Sequence, residues 1–139
     1  SFISLVEFLF SPRARGPPGA MSPTLDPLAR LMQTLLERAE ARPAGSYTTR
    51  LLDGGTEKMG GKILEEAAEL IEAAEEPGQS GRDHFVYEAA DLVYHTMVLL
   101  AWRGVDLGEV AGELARREGT SGLVEKASRS KQTDSNSNQ

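Results

Sequence analysis

With 139 residues, 40% of them hydrophobic and 26% charged, the chain has the size and composition of one ordinary soluble globular domain, which excludes a multidomain machine, a long repeat array or a wholly disordered polymer. Lys plus Arg number 15 against 21 for Asp plus Glu, a formal charge of −6 with a pI near 5.0, so nucleic acid is disfavoured as a partner and an anionic substrate needs local Lys or Arg, or a metal ion, to bind. The absence of cysteine removes disulfides, thiol nucleophiles and Cys-ligated zinc, and agrees with the cytoplasmic location we expect.

The first ten residues form an apolar run broken by Glu7, followed by a segment with Pro12, Pro17 and Pro18. No basic stretch precedes the run, as a secretory signal would require, and no segment reaches the roughly 18 uninterrupted apolar residues of a membrane span, so no membrane partner is expected. Residues 1–20 are read as an upstream extension outside the folded domain, residues 21–127 as the domain, and the Ser/Asn/Gln-rich residues 128–139 as a disordered polar tail. Within the domain, Thr24 or Asp26 can cap a helix with Pro27 in its first turn, and Leu28, Leu31, Met32, Leu35, Leu36 and Ala39 give it a helical apolar face up to Pro43. Pro43 to Gly55 is read as a turn-rich connection. A second helix is predicted from an N-cap at Thr56 to about Glu76, stopped by Pro77-Gly78, and a third from Gly81–Asp83 to Arg103, stopped by Gly104. Asp106 is expected to cap a short fourth helix, Leu107 to Arg117. No strand pattern competes, so the fold class is all-α, four to five helices.

The second helix is amphipathic. Lys58, Lys62, Glu65, Glu69 and Glu72 share one stripe with Glu66 at its border, while Ile63, Leu64, Ala67, Ala68, Leu70 and Ile71 face the other way. The third helix is apolar almost all round, which demands burial or a covering partner and implies a homo-oligomer. Yet His84, Glu88, Asp91 and His95 follow one face at spacings of 4, 3 and 4. Carboxylates on a helix that must otherwise leave water need a compensating cation. The acidic stripe with Glu65, Glu66 and Glu69 is the natural face to lie opposite Glu88 and Asp91, and oxygen ligands without cysteine suit Mg²⁺ or Mn²⁺ better than zinc. Such an ion binds phosphate oxygens, activates water and stabilises a leaving group.

Glu66-Ala67-Ala68-Glu69 followed by Glu88-Ala89-Ala90-Asp91 resembles the Glu-x-x-Glu and Glu-x-x-Asp pattern of the all-α nucleoside-triphosphate pyrophosphatases, the MazG-like superfamily. Ser46-Tyr47-Thr48 before a Gly pair, the Lys58 to Glu66 approach, Asp91-Leu92-Val93-Tyr94-His95, and Ser121-Gly122 through Glu125-Lys126-Ala127 to Arg129 resemble its phosphoribosyl-ATP pyrophosphatase branch in order along residues 25–131. The resemblance implies hydrolysis of 1-(5-phosphoribosyl)-ATP to 1-(5-phosphoribosyl)-AMP and pyrophosphate, the second step of histidine biosynthesis, in a tight homodimer with composite sites. It implies Glu66, Glu69, Glu88 and Asp91 as ligands of Mg²⁺ or Mn²⁺, with Glu65 as a ligand or as the base that orients water.

For the remaining site residues two readings stand side by side. Lys58 and Lys62 contact phosphate oxygens or pair with Glu65 and Glu66. Tyr94 and His95 contact base, ribose or phosphate, or hydrogen-bond within the core. Ser46, Tyr47 and Arg50 belong to a loop that closes on substrate or to an ordinary helix connection. Two other functions compete with the first: a house-cleaning pyrophosphatase for other nucleoside triphosphates on the same fold, and a non-catalytic helical dimerisation module whose acidic stripes are solvated.

Overall fold

The structure, a computed structural model, describes residues 25–119 and 126–132. Residues 1–20, Met21, Thr24, the Ser121 to Glu125 part of the tail motif and residues 133–139 lie outside the described residues. Described residues fall into two units that part after Asp106. All regular structure among them is helical, in agreement with the all-α class: α1 (Asp26–Ala41), α2 (Tyr47–Asp53), α3 (Gly55–Ala74), α4 (Gly78–Arg103) and α5 (Leu107–Arg116), with a further helical segment at residues 126–132.

The first unit is built on the hairpin of α3 and α4, its most extensive pairing, with α1 laid on α4 and α2 wedged between α1, α3 and α4. Helix α1 carries a Pro in its first turn and buries Leu31, Met32 and Leu35. Asp26 is not its cap: Leu25 holds that position without a side-chain hydrogen bond, and Asp26 lies inside the first turn, where its charge favours the positive end of the helix. Arg42, in the left-handed region at φ 48°, returns its N–H to the Arg38 carbonyl, and Pro43 prevents continuation.

The connection expected between Pro43 and Gly55 contains a seven-residue helix, α2. Its start is made by Ser46, whose Oγ accepts from Thr49 N–H at 3.4 Å, and by Thr49 Oγ1 donating to the Pro43 carbonyl at 2.9 Å. Seven residues are too few to stand alone, so the helix depends on burying Thr48, Leu51 and Leu52.

Helices α3 and α4 both begin earlier than their expected caps. Gly54, not Thr56, precedes α3, and α4 starts at Gly78 directly after Pro77, three to five residues before Gly81–Asp83. The early start of α4 follows from how tightly the hairpin closes: Gly78 turns at φ +74°, and Gly81 packs so near the Glu76 carbonyl that a Cβ there would collide with it. At the other end, Gly104 at φ +73° and Val105 return their N–H groups to Ala101 and Leu100, the expected glycine stop.

The seam between α3 and α4 has a heptad rhythm. Helix α3 buries Met59, Glu66 and Ala73; α4 buries Gly81, Glu88 and His95 in one row and Asp91 and Val98 in the next. Leu64, Ile71, Val86 and Val93 point away from this seam and are exposed, the first two at 74% and 68%.

In the second unit, α5 ends one residue before the predicted Arg117, and Glu113 holds both Arg116 and Arg117 at 2.8–3.0 Å. Residues 126–132 are helical, so the part of the expected disordered tail that falls among the described residues has regular structure. No helix among the described residues is long and apolar enough to cross a membrane.

Candidate metal centre

Because α3 and α4 are joined by so short a turn, their acidic rows face each other. Glu66, Glu69 and Glu88 each bring a carboxylate oxygen to within 4.8 Å of the others. The cluster opens into a cavity of about 370 Å³ that Glu65, Glu72, Glu76, Asp91, His84 and Tyr87 also line.

Glu66, placed by its spacing at the border of the charged stripe, is only 2% exposed, because it continues the buried row of Met59 and Ala73. Glu88 and Asp91 are buried too, Glu69 is half-buried and Glu65 is exposed. Oε2 of Glu66 and Oε2 of Glu88 are buried without a hydrogen-bond partner. Such atoms are costly to leave unsatisfied, by about 1–3 kcal/mol each for a neutral group and more for a charged one. Burial, then a hydrogen bond that the protonated Glu66 carboxyl donates to Glu69, and the charges of Asp91, Glu69 and Glu88, push the Glu66 carboxyl up to about 8. The Asp91 carboxyl is pushed up as well, by burial first and then by Glu88 and Glu69. Four carboxyl groups share a site with too few donors, and a divalent cation would supply what is missing: positive charge and coordination for the orphaned oxygens. The donor set fits a hard, oxygen-seeking ion.

Beneath Glu66 lies an aromatic layer. His95 is 1% exposed, with Nε2 at 3.9 Å from Glu66 Oε1 and its ring edge-on to Tyr94 and Tyr47 at 5.2 and 6.4 Å. Burial, and secondarily the Lys62 charge, lower its pKa to about 4, so the imidazole is neutral near pH 7. Tyr94 is 2% exposed and its hydroxyl shares a 2.9 Å hydrogen bond with Thr48 Oγ1. Neither Tyr94 nor His95 lines the cavity. Both side chains are covered inside the core, Tyr94 hydrogen-bonded to Thr48 and His95 stacked edge-on against its aromatic neighbours. Tyr47 is half-buried in the same layer, and burial followed by the Tyr94, Glu66, Glu65 and Asp91 charges raises its phenol.

The other expected site residues are spread more widely. Lys62 Nζ lies 3.1 Å from Glu65 Oε2, so the ion-pair reading holds for that pair. Lys58 and Lys62 line an adjoining hollow, together with Gly54, Glu57 and Gly61, and Glu65 borders both spaces. Ser46 is engaged in capping α2 and accepts from Arg38 at 3.5 Å, while Arg50 is exposed and lines neither space.

Glu76, Tyr87 and His84 were not singled out as site residues. His84 Nδ1 meets both Glu76 oxygens at 2.9 and 3.0 Å, and Nε2 meets Glu88 Oε1 at 3.0 Å. These contacts, that to Glu76 foremost, raise its pKa. The i,i+4 spacing of His84 and Glu88 was a readable signal; the approach of Glu76 depends on the hairpin turn and left no mark in the spacing.

Comparison with known proteins agrees with this geometry. The family model described as Phosphoribosyl-ATP pyrophosphohydrolase matches residues 28–118, which include every carboxylate of the cluster. A protein of Rhodopirellula baltica named Phosphoribosyl-ATP pyrophosphatase is 66% identical over 115 residues, 83% of this chain and 96% of the relative. A protein of the same name from Neisseria meningitidis serogroup B is 45% identical over 102 residues, 73% of this chain and 92% of the relative. The Wolinella succinogenes protein named Histidine biosynthesis bifunctional protein HisIE is 48% identical over 100 residues, which is 72% of this chain but 42% of that larger protein.

Proposed function

The chain belongs to the phosphoribosyl-ATP pyrophosphohydrolase family, and from that premise we propose how its residues carry out the hydrolysis. The reaction is that of 1-(5-phosphoribosyl)-ATP with water to give 1-(5-phosphoribosyl)-AMP and pyrophosphate, a step of histidine biosynthesis. Glu66, Glu69 and Glu88, with Asp91 beside them, would hold Mg²⁺, for which Mn²⁺ could substitute. That ion, when bound, binds phosphate oxygens, lowers the pKa of water and offsets charge on the departing pyrophosphate.

The chain's own groups do the rest. Ionised Glu66 and Glu88, whose Oε2 atoms are buried without a hydrogen-bond partner, would be the residues that such an ion satisfies. Glu65, exposed at the junction of the two hollows, orients the attacking water between the α- and β-phosphates and takes its proton. Lys58 and Lys62 in the adjoining hollow receive phosphate oxygens, Lys62 exchanging its pairing with Glu65 for the substrate. Neutral His95 and Tyr94 support Glu66 from below. The Leu64, Ile71, Val86 and Val93 surface of α3 and α4 is covered by a second copy in a homodimer. A substrate with this many phosphates does not cross a bilayer, so the enzyme works where the nucleotide is made, in the cytoplasm.

The observation that carries this reading is the set of three clustered carboxylates with two buried, partnerless oxygens, lying within the residues matched by the family. Pyrophosphate release from phosphoribosyl-ATP is expected with Mg²⁺, to be abolished by chelator, and to be lost in Glu66→Gln combined with Glu88→Gln. Full activity of that double variant refutes the metal mechanism. Growth of a histidine auxotroph lacking this step, restored by the gene, separates the pathway enzyme from a house-cleaning pyrophosphatase.

A further inference from the structure

A glutamate that serves a metal ion has three side-chain torsions to fix before its carboxylate points the right way, and each left loose costs entropy when the ion arrives. Within the candidate centre the three clustered glutamates differ in how this is managed. Glu88 alone has one oxygen held from outside the cluster at hydrogen-bond distance: Oε1 by His84 Nε2 at 3.0 Å, one helical turn earlier on α4. Its other oxygen, Oε2, is buried and has no hydrogen-bond partner.

His84 is itself fixed from a second direction. Its Nδ1 lies 2.9 and 3.0 Å from the two oxygens of Glu76, at the end of the α3–α4 turn. Both ring nitrogens are engaged with a carboxylate at hydrogen-bond distance, so neither is left to ligate an ion or contact substrate. The ring is thus a strap from the hairpin turn to Glu88. Glu76 in turn is held close by the packing of its carbonyl against Gly81.

We propose that His84 is a positioning residue of the metal centre: anchored by Glu76, it holds Glu88 Oε1 so that Oε2 faces the cation before the cation binds. The inference rests on the metal reading given above and adds a residue to it. Outer contacts that orient a ligand typically govern metal affinity by about 10–100-fold.

The test is titration of the full-length protein with Mn²⁺ alone, followed by electron paramagnetic resonance, beside thermal denaturation and steady-state kinetics. His84→Ala is expected to weaken Mn²⁺ binding by about 10–100-fold, with kcat recovered at high metal and KM for phosphoribosyl-ATP unchanged there. His84→Gln keeps an amide that can donate to Glu88 from the preceding turn, and is expected to recover most of the affinity. Glu76→Gln leaves the His84–Glu88 contact but weakens the anchor, and is expected to fall between the two. Wild-type affinity in His84→Ala overturns the proposal. So does an equal loss in Ala and Gln variants that tracks a loss of thermal stability, since that is what a purely structural role produces. A wild-type protein that takes up no Mn²⁺ overturns the metal reading itself, and this inference with it, which is a different result from an unaltered variant.

Discussion

The state of Glu66 makes a prediction that needs no substrate. Its carboxyl is pushed up to about 8 from an ordinary 4.5 by burial, Glu69 and the surrounding charges, so the metal-free protein at pH 7 holds a proton there about nine times in ten. Mg²⁺ requires the ionised form, and binding must therefore release close to one proton per ion at pH 7, falling to about one tenth at pH 9. Calorimetric titration with Mg²⁺ in two buffers of different ionisation enthalpy measures that number directly, and heat that does not depend on the buffer refutes the reasoning. Stability carries the same signature. Between pH 4.5 and 8 the unfolded chain gives up this proton and the folded protein keeps it, so the folded state binds more protons and its stability falls as pH rises through the window, by no more than about 5 kcal/mol. His95, lowered to about 4 from 6.5, acts in the opposite sense, but only below pH 6.5, where the unfolded chain takes up the proton first. His84 is raised, so what it contributes is also lost as pH rises above 6.5. Glu66→Gln removes the Glu66 component alone. Its denaturation midpoint is expected to drop less than wild type between pH 6.5 and 8.5, and its proton release on adding Mg²⁺ to vanish.

Three further outcomes are expected. Tyr94→Phe, which deletes the buried hydrogen bond to Thr48, is expected to cost about 1–2 kcal/mol in urea denaturation while leaving KM unchanged; a tenfold higher KM at full stability would place the hydroxyl on the substrate. Gly81→Ala is expected to destabilise by about 1–3 kcal/mol because its Cβ meets the Glu76 carbonyl, and an unshifted midpoint contradicts the close packing of the hairpin. Replacing Leu64 and Ile71 together with Glu is expected to convert a dimer into monomers at micromolar concentration in sedimentation equilibrium, whereas a double variant that still sediments as a dimer moves the interface elsewhere.

The helices and most of the cluster were legible in the sequence because helical period is an angular signal, and the acidic stripes of α3 and α4 are angular features. What stayed hidden belongs to other variables. Helix α2 was unreadable from period because seven residues make only two turns; its signal was chemical, the Ser46 hydroxyl three residues before the Thr49 N–H it caps. Glu66 was read as a ligand at the border of the charged stripe, without its depth, because the angles were referred to the charged residues. Referred instead to Met59 and Ala73, seven residues to either side, Glu66 falls on the buried seam. The two histidines of α4 make the limit sharpest. His84 and His95 share one face three turns apart, yet the side chain of one is 44% exposed at the rim beside the hairpin turn, while the other is 1% exposed against α2. Period fixes the direction in which a side chain leaves its helix, whereas depth is fixed by what the neighbouring elements bring to that level. That is why one stripe divides into an outer histidine that contacts Glu88 and an inner one that lies under Glu66, with the carboxylates Glu88 and Asp91 between them, buried yet lining the cavity.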